Sequence, residues 1–225
     1  MNKPVSVLIA SECAATAFLL IAVVGSGIAA ERLSGGNVAL ALLANAIVTG
    51  CALFPLILAF APISGAHMNP VVTICAAAFK RLPWAAVLPM IAAQTAGGVI
   101  GVWLAHLMFD LPMLQSSLHI RTGPGLWCAE VVATVGLLGT ILRCDSYGVP
   151  LTAGAVASYI TGAYWFTAST SFANPAVTIA RTFTDTFAGI RPADAPGFIV
   201  AQFAALVLVL AVARAAGFTL PAKST

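Results

Sequence analysis

The sequence predicts an all-α membrane protein with six transmembrane helices plus two re-entrant half-helices in an inverted repeat. Two observations carry that class. Of 225 residues, 60% are hydrophobic and 8% charged, where a soluble domain carries roughly 25% charged residues. Mean hydropathy is accordingly high, at +1.02. The second observation is a repeated phrase: Asn69-Pro70-Val71-Val72-Thr73-Ile74 is echoed by Asn174-Pro175-Ala176-Val177-Thr178-Ile179. Ten Lys and Arg with seven Asp and Glu cannot solvate a globule of this size, so lipid is the expected solvent and the chain is expected to be multi-pass. No basic tract offers a nucleic-acid partner, and apolar runs that are continuous rather than alternating argue against a β-barrel.

Charged and Gly/Pro-rich punctuation delimits six spans, near 5–30, 38–61, 85–109, 126–142, 148–166 and 196–216. The first run could imitate a signal peptide after Lys3, but its length and the internal Glu12 favour a retained helix. Two further pieces, 69–79 and 174–187, are too short to cross about 30 Å of hydrocarbon. Each is headed by Asn-Pro, in which Asn can cap free amides and Pro fits the first helical position. The repeat extends further. Glu12 and Thr16 are answered by Glu130 and Thr134, and Ala93-Gln94 by Ala201-Gln202. An odd number of full spans per unit makes the second unit enter the membrane upside down, so the chain reads as one channel domain, 1–225, with repeats near 1–112 and 121–217. The two half-helices then meet by their N-termini near the midplane. The segments leading into them are non-helical backbone at membrane depth, which is tolerated where it lines a wet path.

Gly97 with Gly101, and Gly154 with Ser158 and Gly162, are spaced for close helix crossings. Cys13, Cys51, Cys75, Cys128 and Cys144 have neither metal-ligand nor disulfide-framework spacing and read as small core residues. No metal or cofactor is expected. No His, Cys or Ser with acid/base partners forms a catalytic constellation, so an enzyme is not expected either.

The chain resembles the aquaporin, or major intrinsic protein, family along its whole length. Ser64-Gly65-Ala66-His67-Met68-Asn69-Pro70-Val71 is similar to the signature SGxHxNPA, with Val71 in place of Ala, and Asn174-Pro175-Ala176 matches the second signature. The resemblance implies a pore centred on Asn69, Pro70, Val71, Asn174, Pro175 and Ala176. Two half-helix N-termini there would place roughly half a positive charge each at the midplane, opposing cations and protons. Carbonyls of Gly65, Ala66, His67 and Met68, and of Thr170, Ser171 and Phe172, would form an acceptor ladder. His67 would act through its carbonyl and packing, and Gln94 and Gln202 as structural hydrogen-bonding residues. Glu12 and Glu130 would brace the loops by accepting backbone N–H bonds.

By the family's spacing, the narrowest point falls on Thr49, Gly162, Ser171 and Val177, where an Arg and at least one aromatic are usual. Both are absent from these positions. The expectation is a wide filter for small neutral polyhydroxylated solutes with some water, rather than a strict water channel. Arg181, four residues beyond Val177, is expected in the outer vestibule as a partial substitute for the missing charge; the alternative is an interfacial Arg paired with Asp185. A small group of bacterial aquaglyceroporin-like proteins associated with arsenic resistance shares the filter without Arg, which suggests metalloid hydroxides such as arsenous acid, or arsenicals, beside glycerol. The rival class is an ion-coupled secondary transporter using Glu12 and Glu130; a closed-pore junction protein is a further alternative. With Lys3, Lys80, Arg81, Arg143, Arg214 and Lys223 on one side and Arg32, Arg121, Arg181 and Arg191 on the other, the termini are expected in the cytoplasm. Family resemblance adds the expectation of a homotetramer in a bacterial inner membrane.

Overall fold

A computed structural model describes residues 3–220; Lys223, counted above for orientation, lies outside them. The helices are α1 Val5–Leu33, α2 Val38–Ser64, α3 Pro70–Ala78, α4 Trp84–Met108, α5 Pro124–Cys144, α6 Val149–Phe166, α7 Pro175–Ala180 and α8 Ala195–Ala215. Six are long and two are half-helices, as the sequence predicts. Five of the long helices are long and apolar enough to cross a membrane, α6 not among them; α6 is 18 residues long. Their outward faces carry exposed side chains such as Leu88, Val200 and Val207, at 74, 68 and 66% exposure. So much bare apolar surface needs lipid or another apolar partner.

The packing has the symmetry of the sequence repeat. Helix α1 packs on α2 and α4, as α5 packs on α6 and α8; α3 lies against α4 and α8, as α7 lies against α8 and α4; α2 meets α6 and α3 meets α7. Exchanging α1–α4 for α5–α8 maps these pairings onto themselves. The α1–α4 crossing is close because α4 turns Gly97 and Gly101 toward it: a Cβ there would lie 2.1 Å from the Cys13 carbonyl oxygen and 2.3 Å from that of Ala17. The Gly154–Ser158–Gly162 stripe does not make an equivalent contact, since Gly162 is exposed.

Two expectations are corrected. Helix α7 ends at Ala180 rather than continuing to 187. A 3-10 turn, Arg181–Phe183, follows it, and the chain then leaves helical conformation because Thr184 bonds His106 Nε2 and the Thr186 hydroxyl, each at 2.8 Å. All five cysteines are free, but only Cys75 is buried; Cys51 and Cys128 are exposed.

Candidate functional site

The two Asn-Pro loops are built to one plan. At four, three and one residues before each Asn the backbone is left-handed: Gly65, Ala66 and Met68 (φ 95, 51 and 49°) and Thr170, Ser171 and Ala173 (φ 60, 51 and 47°). That conformation costs a non-glycine residue roughly 1–2 kcal/mol, so something must hold it. In the first loop, Glu12 accepts from His67 N and Met68 N at 3.0 and 2.7 Å, from the Ser64 hydroxyl at 2.6 Å and from Gln94 Nε2 at 2.7 Å. In the second, Glu130 accepts from Phe172 N, Ala173 N and Gln202 Nε2 at 2.9, 2.8 and 2.6 Å. Both glutamates are fully buried, which is costly for a carboxylate unless it is saturated with donors. The two Gln amides are themselves shared with Thr73 and Thr178 of the half-helices, at 2.8 and 3.0 Å.

Asn69 and Asn174 cap the half-helices: Asn69 Oδ1 accepts from Val71 N, and Asn174 Oδ1 from Ala176 N and Val177 N. Each amide then reaches across to the opposite loop. Asn69 Nδ2 donates to the Ala173 carbonyl at 2.8 Å, and Asn174 Nδ2 to the Met68 carbonyl at 2.7 Å. One N–H of each amide is used by the crossed bond, and the other is available to a solute.

A cavity of about 710 Å³ runs past this pair. Its lining extends from Arg81, Asp145 and Leu220 at one end, past Gly65–Asn69, Ser171, Phe172 and Asn174, to Thr49, Tyr164, Val177 and Arg181 at the other. Of the six residues expected at the pore centre, the two Asn line it. Pro70, Val71, Pro175 and Ala176 are buried behind them in the half-helices. Thr170 is absent from the lining, whereas Ser171 and Phe172 belong to it. His67 turns its ring back over Gly65, and its Nδ1 lies 3.2 Å from the Thr73 hydroxyl.

At the far end the sequence expectation needs correcting. Helix α6 presents Val149, Thr152, Val156, Ile160 and Tyr164 to the cavity, a stripe at helical spacing. Gly162 lies half a turn off that stripe and is exposed on the opposite face. An aromatic does line the passage: the Tyr164 hydroxyl sits 3.2 Å from the Thr49 hydroxyl. The four-residue stripe that runs onward from Thr152 through Val156 and Ile160 ends at Tyr164. Ser171 Oγ is buried there with no hydrogen-bond partner among the described residues.

Arg181 is 2% exposed. Its Nε donates to the Ala188 carbonyl, and its guanidinium carbon lies 3.5 Å from the centroid of the Phe172 ring. Asp185, the alternative partner, instead accepts from Leu118 N at 2.8 Å and lies 3.9 Å from His119 Nε2. A second guanidinium, Arg121, stands 5.5 Å from the same Phe172 ring and donates to the Gly189 and Phe187 carbonyls. No sequence pattern marks Phe172 as a seat for Arg181, because the contact joins a loop to a turn through tertiary folding.

Comparison with known proteins agrees with this geometry. The profile described as Major intrinsic protein matches residues 3–163. The chain is 50% identical over 204 residues to Aquaglyceroporin AqpS of Rhizobium meliloti (strain 1021), covering 91% of this chain and 87% of that one. It is 36% identical over 115 residues, 44% of this chain and 49% of the other, to the Glycerol uptake facilitator protein of Streptococcus pneumoniae. Among solved structures, the aquaglyceroporin from Plasmodium falciparum superposes with a TM-score of 0.70 at 20% identity, over 93% of this chain and 96% of that one. The chain therefore belongs to the major intrinsic protein family: it is a multi-pass integral membrane protein and not an enzyme.

Proposed function

We propose that this protein is a passive channel for small neutral solutes: glycerol-like polyols, metalloid hydroxides such as arsenous acid or other arsenicals, and some water. The carrying observation is the crossed Asn69 and Asn174 pair on the cavity wall, each amide tied by one N–H to the opposite loop. A solute hydroxyl meets the second N–H of each amide, then the loop carbonyls, then the Ser171 hydroxyl, which has no partner among the described residues. Donors and acceptors in series on an otherwise apolar wall replace hydration without a tight binding site. Val177 lines the cavity where the family's spacing puts an Arg, which supports an aperture wide enough for more than water. Similarity to proteins named aquaglyceroporin and glycerol uptake facilitator supports the same solute class.

The single domain is read as two repeats, near 1–112 and 121–217. We place the chain in a bacterial inner membrane as a homotetramer with cytoplasmic termini, which puts Arg81 at the inner mouth and Arg181 at the outer. Glu12 and Glu130 are poor candidates for ion coupling. Neither lines the cavity, and each already accepts at least three hydrogen bonds from loop amides and a Gln.

Uptake into proteoliposomes tests the reading by comparing water, glycerol, arsenous acid and a methylated arsenical in the same vesicles. Fluxes of glycerol and arsenous acid that rise linearly with concentration support it. Water flux alone contradicts it.

A further inference from the structure

We propose that Arg181 is a specificity-determining residue of this channel, the charge that keeps cations out, supplied from a position one helical turn beyond the family's filter position. The proposal rests on the channel reading above and adds to it how selectivity survives without an Arg at Val177.

The argument begins with the cost of the side chain. Arg181 is 2% exposed, and a guanidinium buried that deeply is normally paired with a carboxylate. Among the described residues none forms an ion pair with it, and Asp185 is held by Leu118 N instead. Its partners are one carbonyl, of Ala188, and the face of Phe172. The terminal nitrogens make no further hydrogen bond among the described residues, and the side chain is part of the cavity wall. At the opposite mouth, the charges of Arg81 and Asp145 cancel in a 2.5 Å ion pair. Among the described residues Arg181 is thus the unneutralised charge along the lining, and its field in a low-dielectric passage is felt over several ångströms.

Its seat explains how the charge coexists with a wide aperture. Phe172 N is held by Glu130 at 2.9 Å, so the loop brace that shapes the acceptor ladder also fixes the ring. The guanidinium stacks on that ring rather than reaching across the passage, and Arg121 supports the same ring at 5.5 Å. An Arg at position 177, closer to the Asn pair, would occupy the aperture. Displaced by one turn and laid on an aromatic, the charge opposes cations while Thr49, Tyr164 and Ser171 remain open to hydroxyls.

The test measures glycerol and methylammonium permeability in the same proteoliposomes for the wild-type protein, Arg181→Gln, Arg181→Met and the double variant Val177→Arg/Arg181→Gln. Wild-type glycerol flux tests the channel reading by itself. The inference is read from the methylammonium-to-glycerol ratio, which is expected to rise about tenfold or more in the Gln and Met variants. In the double variant methylammonium permeability itself is expected to fall back toward wild type, because Val177→Arg also lowers glycerol flux. A ratio unchanged in folded Gln or Met protein overturns the inference and leaves the channel reading standing. If none of the three variants yields folded protein, Arg181 is a folding element and the inference fails as well.

Discussion

At the scale of single residues, function depends on a few polar atoms whose partners are already assigned. Glu130 accepts two backbone N–H groups and a Gln amide while fully buried. Glu130→Gln keeps the shape but turns a donor toward donors, leaving at least one buried N–H unsatisfied. The expected loss is about 1–3 kcal/mol, read as a lower unfolding temperature in detergent, with Glu12→Gln behaving alike. No change in either would contradict the bracing role. Ser171 is different, because its hydroxyl has no hydrogen-bond partner among the described residues to lose. Ser171→Ala should leave stability nearly unchanged and lower glycerol flux several-fold, the effect of one hydrogen bond of about 0.5–1.5 kcal/mol. An equal loss of stability would make Ser171 structural. Val177→Arg should reduce glycerol flux far more than water flux, because it fills the aperture with a guanidinium.

At the scale of elements, the long spans were legible because composition alone marks them, and their observed ends fall within a few residues of the expected ones. The half-helices were legible from the Asn-Pro phrase. What the sequence withheld was rotation and termination. The family's spacing from Asn174 points to Gly162, but the pore face of α6 is set by its packing on α2 and α5, which puts Tyr164 inward and Gly162 outward. The end of α7 depended on Thr184 meeting His106, a contact across 78 residues that no local pattern announces. The α1–α4 crossing supplies a matched test. Gly101→Ala places a methyl 2.3 Å from the Ala17 carbonyl, so it should destabilise by roughly 1–3 kcal/mol. Gly139→Ala in α5 meets nothing within 4 Å and should be neutral or stabilising by up to about 1 kcal/mol. Equal effects would contradict the close crossing.

The loop 110–123 adds a pH test at the same scale. Arg121 N donates to Asp194 Oδ2 at 2.9 Å, and the hydrogen bond from Arg191 holds the Asp194 carboxyl below its usual range. A carboxylate whose folded-state pKa is depressed contributes stability that is present above the ordinary value near 3.9 and lost as pH falls through the folded value. Limited proteolysis of this loop should therefore stay constant from neutral pH down to about pH 4 and increase only in stronger acid. Asp194→Asn should show the increased cleavage at neutral pH; cleavage that rises between pH 7 and 5 would contradict this assignment.

At the scale of the whole molecule, the same shortage of charge that demands lipid makes each remaining charge informative. Two carboxylates hold the loops, an ion pair sits at one mouth, and the Arg181 guanidinium, without an ion-pair partner among the described residues, lines the other. None of these arrangements requires the protein to change state during transport, which is the difference between a channel and a carrier. The most direct measurement is glycerol flux into proteoliposomes over a wide concentration range, with and without an imposed proton gradient. A passive channel gives flux proportional to concentration, indifferent to the gradient and abolished when an Asn69→Leu/Asn174→Leu double substitution removes the central donors. Saturation at low concentration together with dependence on the gradient would show a coupled carrier and contradict the account.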